Sequence, residues 1–126
     1  MSGSGTPQPE TQWEFVPVAT VDELAPGERL FVAADPWDIV IFRIGDQFFA
    51  IEDRCTHDDG PIGEGELEGY VIVCPRHGAR FDVRTGAVLA PPAPTPVAVF
   101  PVQVRDGQVW LGLPREPAAD ADETAP

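Results

Sequence analysis

The residues best suited to chemistry in this chain are two short pairs of metal-ligating side chains. Cys55 and His57 are spaced C-x-H, and Cys74 and His77 are spaced C-x2-H. Sixteen residues separate the two pairs, which together contain both cysteines and both histidines of the 126-residue protein. Thiolate sulfur and imidazole nitrogen are favoured protein ligands for iron and zinc. These four residues therefore form the candidate metal site.

The alternation of the two residue types narrows the kinds of site that they can form. A structural zinc finger usually takes its thiolates from one close pair and its imidazoles from another. In a Rieske-type [2Fe–2S] centre, one iron takes two thiolates and the other takes two imidazoles. Two loops that each supply one cysteine and one histidine satisfy that requirement directly. A Cys2His2 zinc site and a Cys55–Cys74 disulfide remain as alternatives, although a disulfide requires an oxidising compartment.

The segment that contains both pairs resembles the Rieske ferredoxins, especially the small ones that serve ring-hydroxylating dioxygenases. It reads C-T-H-x16-C-P-R-H-G-A-R-F-D-V-R-T-G, and the resemblance is close from about residue 50 to residue 113. It implies an all-β Rieske iron–sulfur fold, with antiparallel sheets and a small cluster-binding subdomain. It also implies one [2Fe–2S] cluster, bound by Cys55 and Cys74 on one iron and by His57 and His77 on the other.

Departures from the family pattern indicate its low-potential branch. The resemblance places Gly60 and Arg76 where high-potential Rieske proteins have two further cysteines, which form a disulfide between the ligand loops. It places Ala79 and Phe81 where those proteins have a serine and a tyrosine hydroxyl directed at the cluster. Without these hydroxyl donors, we expect a low reduction potential.

The composition suggests one domain with a tail at each end. Residues 1–11 are mostly Ser, Gly, Pro, Thr and Gln, and residues 114–126 are rich in Pro, Ala and acidic residues. We expect both segments to be disordered, leaving a Rieske domain at 12–113 whose cluster-binding part covers about 53–96. The sequence has neither a signal-peptide pattern nor an apolar run long enough to span a membrane. We therefore expect a cytoplasmic protein.

The charge of the chain is strongly acidic. Aspartate and glutamate number 21 against 8 arginines, which gives a net charge of −13. Such a field repels nucleic acid and anionic membranes, and it favours encounter with a basic partner. Several acidic residues cluster around the first metal pair: Glu52, Asp53, Asp58, Asp59, Glu64, Glu66 and Glu68. They predict a docking surface, although solubility or adaptation to salt explains the same charge.

The order of apolar runs and turn residues predicts six to nine antiparallel strands. Gly45-Asp46 and Asp106-Gly107 are two-residue hairpin signals between β-rich runs. Residues 53–69, which contain several glycines and acidic residues, are predicted to form a loop. The predicted strands cover residues 13–18, 30–34, 37–44, 47–52, 70–74, 79–83, 97–105 and 108–113. The strand that begins at residue 13 is predicted to lie at the edge of a sheet, because Pro17 has no N–H group to donate to a neighbouring strand.

The sequence predicts an electron carrier rather than an enzyme. A mononuclear iron site for oxygen activation needs two further histidines and a carboxylate, and both histidines are already assigned to the cluster. The resemblance implies a monomer that takes electrons from a flavoprotein ferredoxin reductase and passes them to a terminal oxygenase. The alternatives are a small subunit of an assimilatory nitrite reductase and a Cys2His2 zinc module with no redox role.

Overall fold

The computed structural model describes residues 13–56, 59–76, 78–91 and 95–114. These residues form three antiparallel sheets and one short 3₁₀ turn, Val21–Glu23. The strands are β1 (Trp13–Thr20), β2 (Arg29–Ala34), β3 (Trp37–Ile44), β4 (Gln47–Glu52), β5 (Glu66–Glu68), β6 (Val71–Val73), β7 (Arg80–Asp82), β8 (Val88–Ala90), β9 (Val99–Phe100), β10 (Val102–Arg105) and β11 (Gln108–Pro114). The predicted all-β fold with antiparallel sheets is confirmed. Within the described ranges, no helix is long and apolar enough to cross a membrane.

The three sheets are each built from neighbouring strands of the chain, with two exceptions. The first sheet has the order β1-β11-β10, the second β2-β3-β4-β9, and the third β5-β6-β7-β8. The hairpins predicted at Gly45-Asp46 and Asp106-Gly107 are confirmed, since they join β3 to β4 and β10 to β11. As predicted, β1 lies at the edge of its sheet.

Strand β3 is buried on both faces and lies at the centre of the protein. Its residues alternate between two hydrophobic clusters, as the period of two in a strand requires. Ile39 and Ile41 pack in the cluster that includes Leu111 of the first sheet. Val40 and Phe42 pack in the cluster that includes the buried residues of the third sheet. Because both faces of β3 are buried, its apolar run is continuous. One of these faces packs against the third sheet, so the second sheet supports the third.

The prediction of one strand over residues 97–105 is wrong, because the chain changes sheets at Pro101. Phe100 of β9 pairs with Ala50 in the second sheet, whereas Val102 of β10 pairs with Leu111 in the first. Proline lacks an N–H group and so cannot continue a ladder as a donor. Its carbonyl accepts a hydrogen bond from the Gly112 N–H at 2.8 Å instead.

The third sheet contains two strands that the sequence analysis did not predict. Residues 53–69 are predicted as a loop, but Glu66–Glu68 forms β5 and pairs with Val71–Val73. The acidic tripeptide has low intrinsic β propensity, so its strand depends on pairing with the apolar β6. The second is Val88–Ala90, which pairs with β7 across a register shift. It was missed because three residues are too few to show a pattern.

Candidate metal centre

The two cysteines lie at the start of two loops that leave the second and third sheets. We call residues 53–65 the first ligand loop and residues 74–79 the second ligand loop. Cys55 follows β4 and Cys74 follows β6, and their exposed fractions are 0% and 1%. The two cysteines are not joined by a disulfide. Their predicted partners His57 and His77 lie outside the described residues, so their positions stay a prediction.

The two ligand loops have the same backbone hydrogen bonds. In the first, the Cys55 N–H donates to the Gly60 carbonyl at 2.7 Å, and the Asp59 N–H donates to the Cys55 carbonyl at 2.8 Å. In the second, the Cys74 N–H donates to Ala79 at 2.7 Å, and the Gly78 N–H donates to Cys74 at 3.0 Å. Each loop is thus closed between its cysteine and the fifth residue after it.

The fourth residue after each cysteine has a left-handed backbone conformation. Asp59 has φ = 64° and Gly78 has φ = 78°. Glycine adopts this region without cost, and aspartate is among the few other residues that tolerate it. The described residues of C-T-H-D-D-G and C-P-R-H-G-A therefore share a left-handed fourth residue and the same closing hydrogen bonds, although the histidine is the second residue after Cys55 and the third after Cys74 in the sequence.

An arginine next to the first cysteine partly neutralises the acidic residues around it. The Arg54 guanidinium contacts the carboxylate of Asp59 at 2.5 Å and that of Glu52 at 3.3 Å. The hydrogen bond with Asp59, and then the negative charge of Glu52, raise the pKa of Arg54 above its ordinary value.

Two buried or half-buried polar contacts fix the far end of the first ligand loop. The Arg29 side chain of β2 donates through Nη1 to the carbonyls of Gly63 and Gly65, the latter at 2.7 Å. Its guanidinium also lies 5.2 Å from the centroid of the Phe42 ring. The sequence analysis missed Arg29. The signal that could have identified it is a single arginine at the start of an otherwise apolar strand, R-L-F-V-A-A.

The loop is also tied to the segment that follows β8. Thr56, next to Cys55, donates its hydroxyl to the carbonyl of Thr95 at 2.6 Å. Val97, two residues further on, is buried in the same cluster as both cysteines. The segment at 95–98 therefore covers one side of the cysteine pair.

The buried surroundings of the cysteines suit a metal group with thiolate ligands. Cys55 and Cys74 share one hydrophobic cluster with Ile72, Ala79 and Phe81, all with an exposed fraction of 0%. No set of three metal-ligating side chains occurs among the described residues. Both histidines lie outside those residues, however, so the predicted ligands that the structure describes are the two cysteines, whose thiolates are soft donors. A pair of buried cysteines, each held by the same two backbone hydrogen bonds, fits the thiolate side of an iron–sulfur centre.

Comparison with known proteins identifies the family. A family model described as the Rieske [2Fe-2S] domain matches residues 14–101. The chain belongs to this family. The predictions of a Rieske protein and of a [2Fe–2S] cofactor are therefore confirmed.

The curated relatives place the chain in one branch of the family. The chain is 38% identical over 102 residues to the biphenyl dioxygenase ferredoxin subunit of Pseudomonas sp. (strain KKS102), covering 80% of this chain and 94% of the relative. It is 38% identical to the anthranilate 1,2-dioxygenase ferredoxin subunit of Burkholderia cepacia, with 79% and 93% covered. This protein is accordingly an electron-transfer protein of the Rieske ferredoxin type rather than a catalytic subunit, as predicted.

Solved structures agree with the sequence relatives. The ferredoxin of carbazole 1,9a-dioxygenase from Nocardioides aromaticivorans IC177 matches with a TM-score of 0.74 and 36% identity, covering 80% of this chain and 98% of that one. A chain in the complex of reduced oxygenase and oxidised ferredoxin of carbazole 1,9a-dioxygenase matches with a TM-score of 0.73 and 38% identity. That match covers 77% of this chain and 91% of the other.

Proposed function

We propose that Cys55 and Cys74 bind one iron of a [2Fe–2S] cluster and that His57 and His77 bind the other. The burial of both cysteines, the absence of a disulfide between them and the matching hydrogen bonds of their two loops support this assignment. When bound, such a centre supplies a reversible one-electron carrier. We assign the domain that holds it to residues 12–113; the predicted tails, 1–11 and 114–126, lie outside the described residues except for Pro114, which ends β11.

The chain's own residues keep water from the thiolate side of the site. Ile72 and Phe81 of the third sheet and Val40 of β3 are fully buried around the cysteines. An apolar, water-poor environment strengthens the hydrogen bonds and charges that act on a metal centre. Because Ala79 and Phe81 offer no hydroxyl donor, this protein has a potential near the low end of the Rieske range.

We further propose that the protein is a cytoplasmic monomer that takes electrons from a flavoprotein ferredoxin reductase and passes them to a terminal oxygenase, such as a ring-hydroxylating dioxygenase. The observation that carries this proposal is the match to dioxygenase ferredoxin subunits over more than nine-tenths of their length. The match to a ferredoxin bound to its oxygenase supports the same partner class.

We place partner docking on fewer acidic residues than the seven that the sequence suggests, of which Asp58 lies outside the described residues. Asp59 is paired with Arg54, and Glu68 is paired with Arg80 at 2.7 Å. Asp53 has a structural role instead, because its carboxylate accepts backbone hydrogen bonds within the first ligand loop. The remaining acidic residues of this group in the described part of the chain are Glu52, also paired with Arg54, and the exposed Glu64 and Glu66. We assign partner docking to Glu64 and Glu66.

Anaerobic electron counting tests the proposal. Titration of the purified protein with dithionite should consume one electron per two irons. The reduced protein should then be reoxidised when it is mixed with the oxidised oxygenase component of carbazole 1,9a-dioxygenase in a stopped-flow spectrometer. A protein that takes up no electron, or that remains reduced beside excess oxygenase, would contradict the proposed carrier role.

A further inference from the structure

The side chain of Arg76 crosses from the second ligand loop to the first. Its Nη1 donates a hydrogen bond to the Pro61 carbonyl at 2.7 Å. A Cβ atom built on Gly60 would lie 2.7 Å from Arg76 Nη2, 2.8 Å from Cζ and 3.1 Å from Nε. The guanidinium therefore occupies the space in which a Cβ of residue 60 would lie.

A side chain at residue 60 would meet the Arg76 guanidinium, so this contact, rather than the backbone conformation, is what glycine permits here. Gly78 has a positive φ and no atom near the position of a Cβ, so its conformation alone explains the glycine. Gly60 is the reverse case: its φ lies outside the left-handed region, and the space is filled by the guanidinium. At 2.7 Å a Cβ would force the arginine side chain away.

The contact is made at the residue that closes the first ligand loop. The Gly60 carbonyl accepts the hydrogen bond from the Cys55 N–H at 2.7 Å. Arg76 lies two residues after Cys74 and directly before His77. A displacement of the guanidinium would therefore release the closing residue of one loop from the ligand-bearing segment of the other.

We infer that Arg76 is a positioning residue, which clasps the two ligand loops together by packing its guanidinium on Gly60 and bonding to Pro61. This inference rests on the proposed ligand set. The clasp holds the two loops at a fixed separation and slows the opening that would admit water and chelators to the iron. Arginine suits this role because its planar, charged group stacks and donates in a fixed direction, which lysine cannot do.

The rate of cluster loss from the holoprotein measures how much Arg76 slows the opening of the two loops. Wild type and the variants Arg76→Ala, Arg76→Lys and Arg80→Ala are exposed anaerobically to a ferrous-iron chelator, and the visible absorbance of the cluster is followed. We expect loss to be about five- to tenfold faster in Arg76→Ala, in line with the net contribution of one solvent-exposed hydrogen bond. Arg76→Lys should recover less than half of that effect. The control Arg80→Ala removes another exposed arginine of the third sheet and should match wild type.

A double-mutant cycle with Gly60→Ala separates the contact from other effects of either residue. Gly60→Ala should accelerate cluster loss when Arg76 is present, because the new methyl group displaces the guanidinium. In the Arg76→Ala background the same change should have little effect, because the guanidinium that the methyl group would meet is then absent. Equal effects in both backgrounds would overturn the clasp. If Arg76→Ala does not accumulate as holoprotein, the same cycle is run on Arg76→Lys.

Spectra of the reduced proteins provide a readout that a purely surface role would not change. Freed loops should broaden the EPR lines of Arg76→Ala and Gly60→Ala, whereas Arg80→Ala should retain the wild-type line shape. Wild-type loss rates and spectra in Arg76→Ala, or full recovery by Arg76→Lys, would contradict the clasp. Failure of the ligand assignment would appear differently, as wild-type protein without two irons and two sulfides.

Discussion

The carboxylate of Asp53 accepts two backbone hydrogen bonds, from the Gly63 N–H at 2.6 Å and from the Ile62 N–H at 2.9 Å. The residue is half-buried beside the first cysteine and is therefore a structural anion rather than part of a docking surface. It connects the end of β4 to the far end of the first ligand loop.

Removing this carboxylate should destabilise the protein. We expect Asp53→Ala to lower the free energy of unfolding by about 2 kcal/mol, because two partly buried N–H groups lose a charged acceptor. Asp53→Asn keeps an acceptor oxygen and should cost less. Urea unfolding followed by circular dichroism gives the comparison. Glu66→Ala, an exposed acidic residue of β5, is the control and should change stability by no more than about 0.5 kcal/mol. Equal losses for Asp53→Ala and Glu66→Ala would refute the structural role.

The proposed docking surface should govern the rate of partner encounter. We expect Glu64→Gln/Glu66→Gln to lower the second-order rate constant for electron transfer to an oxygenase at low ionic strength, because attraction to a basic partner is weakened. The rate for wild type should fall as salt is added. Glu14→Gln/Asp22→Asn removes the same charge from β1 and the 3₁₀ turn, and it should have a smaller effect. Equal effects of the two double variants would mean that Glu64 and Glu66 have no special role in docking and that the acidic charge of the protein serves solubility alone.

The ion pair of Asp82 and Arg84 makes a contribution to stability that depends on pH. The Arg84 guanidinium contacts Asp82 Oδ2 at 2.9 Å, and its hydrogen bonds lower the pKa of Asp82 below the ordinary value. A depressed carboxyl pKa stabilises the folded state above the ordinary value, and this contribution is lost as pH falls through the folded-state pKa. Carboxyl NMR of the oxidised protein should show Asp82 titrating higher in Arg84→Gln than in wild type. Arg105→Gln is the control. An unchanged Asp82 titration in Arg84→Gln would contradict the ion pair.

The reduction potential should lie near the low end of the Rieske range, roughly −150 mV. Ala79 and Phe81 are both fully buried in the cysteine cluster and carry no hydroxyl donor. Ala79→Ser and Phe81→Tyr should each raise the potential, by up to about 60 mV per hydrogen bond to the reduced centre. Protein-film voltammetry measures the shift. Val109→Thr adds a buried hydroxyl in the first sheet and should leave the potential unchanged. A wild-type value well above zero would refute the low-potential assignment.

The sequence predicted the long strands and the cysteine pair for clear physical reasons. The burial of β3 on both faces is visible as the apolar run I-V-I-F, and the two-residue turns Gly45-Asp46 and Asp106-Gly107 determine the β3–β4 and β10–β11 hairpins. The positions of Cys55 and Cys74 predicted two ligand loops that meet at one site. The structure places both cysteines in one buried hydrophobic cluster.

Features that depend on contacts between distant residues could not be predicted in this way. Strand β5 exists because β6 pairs with it, and the change of sheet at Pro101 depends on where β4 and β11 lie. The roles of Arg29 and Arg76 are equally non-local, since each donates to carbonyls of the first ligand loop from another part of the chain. A single residue type in a sequence does not specify such partners.

The ligand assignment is tested most directly by pulsed EPR of the dithionite-reduced protein, combined with iron and sulfide analysis. The account predicts two irons and two acid-labile sulfides per chain, and hyperfine coupling to two imidazole nitrogens. One coupling should disappear in His57→Cys and the other in His77→Cys, while Cys55→Ala should fail to retain the cluster. One zinc with no acid-labile sulfide, or a cluster without nitrogen coupling, would contradict the assignment of Cys55, His57, Cys74 and His77.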